Sequence, residues 1–155
     1  MSLVGDEDGG SGHSHDHRNA TGGLLTDIDH VGIAVADLDA AVAWYREMFG
    51  ATVTHRERSE SDGVEEALIK VADSYIQLIT PVTDTSPLAK FMERNGEGLH
   101  HVGYRVEDCA AVLESVKAAG ARVVDEHPRT GSRGITIAFL HPKTSFATLI
   151  ELVEG

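Results

Sequence analysis

Residues 29–37 read Asp29-His30-Val31-Gly32-Ile33-Ala34-Val35-Ala36-Asp37, and residues 100–108 read His100-His101-Val102-Gly103-Tyr104-Arg105-Val106-Glu107-Asp108. Both stretches carry a His-Val-Gly strand and end on an aspartate that can cap a helix. His101 follows His30 at an interval of 71 residues. Each helix that follows closes near a Gly-Ala pair, Gly50-Ala51 and Gly120-Ala121. A repeat of this kind fixes the architecture before any other reading.

The repeat extends outward from these strands. In the first copy, Val31, Ile33 and Val35 alternate with His30, Gly32 and Ala34. The helix over about 38–48 places Leu38, Ala41, Val42, Tyr45 and Met48 at helical spacing. Strands are expected over about 51–58, 64–71 and 74–80, with Asp73-Ser74 turning between the last two. A linker over 83–96 holds a helix at about 84–95, with Ser86 as N-cap, Pro87 at its first position and Asn95-Gly96 at its end. The second copy repeats the order: strand 98–106, helix 108–119, then strands at about 121–126, 135–140 and 147–153. Arg129 to Gly134 reads as a polar, mobile loop that faces ligand or solvent. The fold class is therefore α+β, with two tandem βαβββ modules, 24–82 and 97–155, forming a cupped mixed sheet around a metal cleft. Residues 24–155 make one compact domain.

Residues 1–23 are almost free of large apolar side chains and are expected to be disordered. Their alternating His13, His15 and His17 read as a solvated tail rather than a dedicated metal site. The chain of 155 residues carries 13 basic and 25 acidic side chains, net −12. Its lysines are Lys70, Lys90, Lys117 and Lys143, too dispersed for a nucleic-acid-binding patch. The acidity reads as a solvated surface or as adaptation to high salt. No apolar run is long enough for a bilayer, and the start lacks the order of a signal peptide. A single cysteine, Cys109, forms no internal disulfide; with these features it points to a cytoplasmic location.

Strand parity selects candidate metal ligands. With Val31, Ile33 and Val35 facing a helix-covered core, His30 faces the other side. By the same rule His101 faces that side with Gly103 and Arg105, while His100 joins Val102, Tyr104 and Val106. Gly32 and Gly103 leave room beside the two histidines. The last strand of each copy carries one polar residue in an apolar run, Gln77 in one and Glu151 in the other. Buried amides and carboxylates are costly unless paired. A metal held by His30, Gln77, His101 and Glu151 satisfies all four. Two imidazoles, an amide oxygen and a carboxylate without thiolate suit Co, Mn, Ni, Fe or Zn.

These residues resemble the vicinal oxygen chelate superfamily and, within it, the methylmalonyl-CoA epimerases. The resemblance covers about residues 26–153. It rests on residues 28–35, on Gly96-Glu97-Gly98-Leu99-His100-His101-Val102, on residues 137–143 and on residues 149–152. It places the family's metal ligands on His30, Gln77, His101 and Glu151. It places the catalytic base on Glu66, from Gly63-Val64-Glu65-Glu66, and the second base on Glu151, with a water as the alternative. Parity agrees for Glu66, because Glu65 shares a face with Ala67, Ile69 and Val71. Between Lys143 and Leu149, where the family usually has glycines, this chain has Thr144-Ser145-Phe146-Ala147-Thr148. The resemblance implies proton abstraction at C2 of methylmalonyl-CoA, an acyl-CoA substrate and a homodimer. Other readings are a glyoxalase I-like isomerase acting on a thiol adduct and a non-enzymatic binding module. A ring-cleaving dioxygenase fits less well, because a fourth ligand at Gln77 fills a position that oxygen needs.

Overall fold

A computed structural model describes residues 23–155. The tail expected over 1–23, with its three histidines, lies outside them except for Gly23. The elements run β1 (Asp27–Ala34), α1 (Leu38–Phe49), β2 (Val53–Ser59), β3 (Val64–Val71) and β4 (Ser74–Pro81). They continue with α2 (Pro87–Asn95), β5 (Gly98–Val106), α3 (Cys109–Ala118), β6 (Arg129–Thr130), β7 (Thr136–Leu140) and β8 (Leu149–Glu154). All eight strands form one mixed sheet in the order β2-β3-β4-β1-β5-β8-β7-β6, curled into a half-barrel. The antiparallel β1–β5 pair lies at its centre. Each of these strands has the last strand of its own copy as a parallel outer neighbour, β4 beside β1 and β8 beside β5.

Local chemistry sets the helices. The Asp37 carboxylate accepts from the Ala40 N–H at 3.0 Å, and that of Asp108 accepts from Ala111 at 3.0 Å. Ser86 Oγ accepts from Ala89 at 3.1 Å and starts α2, with Pro87 at its first position. Helix α2 thus starts where Ser86 and Pro87 place it, and the residues before Ser86 in the linker lie outside it. The outer face of the sheet is covered by α1 and α3. Leu38, Ala67, Ile69 and Leu78 form one cluster with Ile33, Val35 and Tyr45 around it. Val106, Cys109, Val112, Leu113, Ala138, Leu140 and Leu152 form the second. A fully buried leucine such as Leu78 or Leu113 contributes roughly 2 kcal/mol. Val71, expected with the core, is exposed at the strand end.

Three local expectations fail. The strand expected over 121–126 is reduced to a single bridge between Val123 and Leu140. Asp125 is the reason: its carboxylate accepts the Phe139 N–H at 2.8 Å, taking a bond that a strand carbonyl would otherwise receive. The paired strand is instead β6, inside the segment expected to be a loop. A single 3₁₀ turn follows it at Ser132–Gly134. Strand β8 also starts later than expected, because Phe146 (φ 57°) and Ala147 (φ 62°) hold left-handed backbone conformations just before it. Glycine adopts such angles without strain, whereas Phe146 and Ala147 do not.

Candidate metal centre

The inner face of the half-barrel carries His30 on β1, Gln77 on β4, His101 on β5 and Glu151 on β8. All four are buried. The register explains their convergence. Gly32 stands opposite His101 across β1–β5 and beside Gln77 across β1–β4; Gly103 stands opposite His30 and beside Glu151. Each imidazole lies over the glycine of the opposite strand. A Cβ on Gly32 would come within 2.2 Å of the His101 ring, and one on Gly103 within 2.3 Å of the His30 ring. Glycine is required at both positions by this close approach, since any side chain there would displace a histidine.

Three donor atoms meet. His30 Nε2 is 2.8 Å from His101 Nε2 and 2.9 Å from Glu151 Oε1, and His101 Nε2 is 3.2 Å from the same oxygen. Adjacent donors ~2.1 Å from one octahedral ion are about 3.0 Å apart, so these separations fit donors around one ion. Gln77 supplies an independent sign. Its Nε2 donates to Glu66 Oε2, and its Oε1 is buried without a partner. A buried carbonyl oxygen left unsatisfied is costly, and a cation would satisfy it. The donor set thus fits a divalent ion.

Burial alone would raise the pKa of Glu151, but hydrogen bonds from His101 and His30 outweigh it and hold the pKa down at about 2. Burial pulls His30 down, but its hydrogen bonds to Asp29 and Glu151 raise its pKa to about 9. Asp29 Oδ2 accepts from His30 Nδ1 at 2.8 Å, which turns Nε2 toward the cleft. Arg105 binds Asp29 Oδ1 through Nη2 at 2.8 Å and Nε at 3.2 Å, and Arg133 Nη2 binds Oδ2 at 2.8 Å. Burial acts against the Asp29 carboxylate, yet His30 and the arginines hold its pKa well below the usual range.

His100 departs from the parity expectation. The β1–β5 register skips it: Gly32 pairs with His101 and Ile33 with Leu99. This bulge turns the His100 ring to the cleft side, where it lines the cavity beside His101. The two Nδ1 atoms are 2.8 Å apart, and the ring stands edge-on to Phe91. A second bulge at Asp29 turns that side chain toward His30 in the same way. Parity is lost at a bulge because two residues face one on the partner strand.

The cavity encloses about 300 Å³, and Glu66, Gln77, His100, His101 and Glu151 are on its wall. Glu66 is buried, whereas Glu65 binds Arg56 on the other side of β3. Pro87 and Leu88 of α2 close part of the wall, as do Thr130, Gly131 and Ser132. Ser132 Oγ is buried without a partner. Glu57, opposite Glu66 on β2, accepts from the Arg133 N–H at 2.9 Å and lies 3.1 Å from His55 Nε2. Sequence reading missed Asp29, Glu57, Ser132 and Arg133. Asp29 carried a local signal as the neighbour of a candidate ligand, and Ser132 and Arg133 carried a coarse one, as members of the 129–134 segment read as facing ligand or solvent.

Comparisons with known proteins agree with this geometry. Residues 29–139 match the family described as the Glyoxalase/Bleomycin resistance protein/Dioxygenase superfamily. The chain is 41% identical over 133 residues to an ethylmalonyl-CoA/methylmalonyl-CoA epimerase from Cereibacter sphaeroides, covering 84% of this chain and 99% of that protein. It superposes on the Mycobacterium tuberculosis methylmalonyl-CoA epimerase with a TM-score of 0.81 at 41% identity, covering 84% of this chain and 89% of the other. A methylmalonyl-CoA epimerase in complex with methylmalonyl-CoA and NH4+ gives a TM-score of 0.82 at 43% identity, covering 84% and 95%. The chain therefore belongs to the glyoxalase/bleomycin resistance/dioxygenase superfamily, in its methylmalonyl-CoA epimerase branch.

Proposed function

We propose that this chain interconverts the two C2 epimers of methylmalonyl-CoA, with Glu66 and Glu151 as the acid–base pair. One observation carries the reading. Two buried carboxylates, from β3 and β8, share one cavity with a set of metal donors, and three strands separate them in the sheet. Epimerisation removes the C2 proton on one face and returns a proton on the other, so it needs a base on each side.

His30, Gln77, His101 and Glu151 are the proposed ligands of a divalent ion, Co, Mn, Ni, Fe or Zn. When bound, the ion supplies Lewis-acid stabilisation to the charge that builds on the thioester oxygen. Gln77 serves two groups at once. Its amide N–H fixes the Glu66 carboxylate, and that bond leaves Oε1 free for the ion. The ligand set and the base are thus oriented by one side chain. Glu66 takes the C2 proton. Ser132 offers an unused hydroxyl on the cavity wall to a substrate oxygen. Enclosure by α2 and the 130–132 segment keeps water from the reacting carbon. No nucleophile is required, which agrees with a Cys109 thiol that burial pushes up to about 11.

Oligomer and compartment follow the same reading, as a cytoplasmic homodimer. Exposed Trp44, Met48 and Phe49 on α1 give apolar area for a second copy. No helix among the described residues is long and apolar enough to cross a membrane.

The test is exchange of the C2 proton of methylmalonyl-CoA in deuterated water, with metal-free and cobalt-loaded protein. Deuterium should enter C2 only with the loaded protein, together with epimerisation. A cobalt-loaded protein that leaves C2 unexchanged overturns the assignment.

A further inference from the structure

Arg133 lies in the second half of the chain, but all three groups that hold it belong to the first. Its backbone N–H donates to Glu57 Oε2 on β2 at 2.9 Å. Its guanidinium donates to Asp29 Oδ2 on β1 at 2.8 Å and lies over the Tyr75 ring of β4, 4.8 Å from the centroid. Its own backbone is left-handed, with φ 60° in a non-glycine residue. Such a conformation persists where surrounding contacts determine it. The residues just before it, Thr130, Gly131 and Ser132, form part of the cavity wall.

Asp29 Oδ2 is also the oxygen that receives His30 Nδ1 at 2.8 Å. Arg105 grips only the other oxygen, Oδ1. Without Arg133 the carboxylate keeps one anchored oxygen and gains freedom at the one facing His30. We infer that Arg133 is a positioning residue: it straps the cavity loop of one half onto the Asp29–His30 pair of the other, and through Asp29 sets the direction of the His30 imidazole. This inference rests on the reading of His30 as a metal ligand. It also gives the chain a coupling between cavity wall and ligand shell, because the same guanidinium fixes both, and such coupling is reciprocal.

The test is titration of cobalt(II) into metal-free full-length protein by calorimetry, with His13, His15 and His17 replaced by alanine throughout. Arg133→Gly is the informative variant. Glycine suits a φ of 60° and keeps the N–H that bonds Glu57, so only the guanidinium arm is lost. Its cobalt Kd should rise by about 10–100-fold, the usual effect of losing an outer partner of a ligand. In an Asp29→Asn background the same change should add nothing, because Arg133 acts through Asp29. Full additivity, or an Arg133→Gly protein that binds cobalt like its parent, overturns the inference. If Arg133→Gly does not fold, Arg133→Met takes its place under the same two criteria. His30→Ala separates the two levels. If His30→Ala binds like the parent, the metal reading itself fails; if it loses cobalt while Arg133→Gly does not, only the role of Arg133 fails.

Discussion

The two halves of the sheet share one backbone device and fill it with different chemistry. Each has a bulge directly before its cleft histidine, and each places that histidine over a glycine of the opposite strand. In the first half the bulged residue is Asp29, a carboxylate gripped by two arginines. In the second it is His100, which burial and the neighbouring His101 lower to about 4, and which stands against Phe91 on the cavity wall. The last strands differ in the same way, with the neutral amide of Gln77 on β4 and the carboxylate of Glu151 on β8. Beside Gln77 stands Glu66; the matching position beside Glu151, two residues before its partner Phe139, is Ile137. A duplicated frame thus positions four donors, while divergence distributes charge. One half anchors its histidine ionically, and the other presents a neutral ring to the cavity.

The largest effect should come from the histidines the frame aligns. His30→Ala or His101→Ala should abolish tight cobalt binding and with it epimerisation, whereas His100→Ala should keep most of the metal. Elemental analysis of the purified variants, with the tail histidines replaced, reads this directly. Equal metal loss on changing His100 would make it a ligand and erase the distinction between the halves. Next in size is the base. Glu66→Gln retains an oxygen to accept from Gln77, so metal should stay bound while kcat falls by about 10²–10⁴. Glu65→Gln, on the opposite face of β3, should change kcat little. A dead Glu65→Gln enzyme alongside an active Glu66→Gln enzyme would mean that the other face of the strand supplies the base.

The smallest effect is on stability, and the two halves should differ in its sign. In the metal-free protein His100 titrates at about 4 folded but near 6.5 unfolded. The unfolded chain binds the extra proton between these values. Stability is therefore complete above about pH 6.5 and lost as pH falls toward 4. His30 is raised to about 9 by Asp29 and Glu151, so its contribution is complete below about pH 6.5 and lost as pH rises through 9. Urea unfolding of metal-free protein across pH 4.5–9 should show both limbs. His100→Gln should flatten the acid limb, and Asp29→Asn the alkaline one. An acid limb unchanged in His100→Gln would show that His100 does not carry it.

The repeat, the order of elements and three helix starts were legible in the sequence because they depend on local rules. Alternation marks the strands, and Asp37, Ser86 and Asp108 satisfy the first free N–H groups of their helices. Strand parity put His30 and His101 on the inner face, and a lone polar residue in an apolar run marked Gln77 and Glu151; none of the four is itself the residue that the register skips. It failed at His100, where a register shift between two distant strands breaks the count. It failed also at 121–126, where the Asp125 side chain takes a bond that periodicity assigns to the backbone.

What the sequence determined by itself is which side chains share a face, because that follows from a period of two along each strand. What only the tertiary structure decided is which faces meet and what stands behind them. Arg133 reaches Asp29 across 104 residues of chain, and Glu57 takes its backbone N–H across 76. No periodicity encodes those contacts. They arise because the curled sheet brings the β6–β7 connection of one half over β1, β2 and β4 of the other, where a buried carboxylate requires cationic partners.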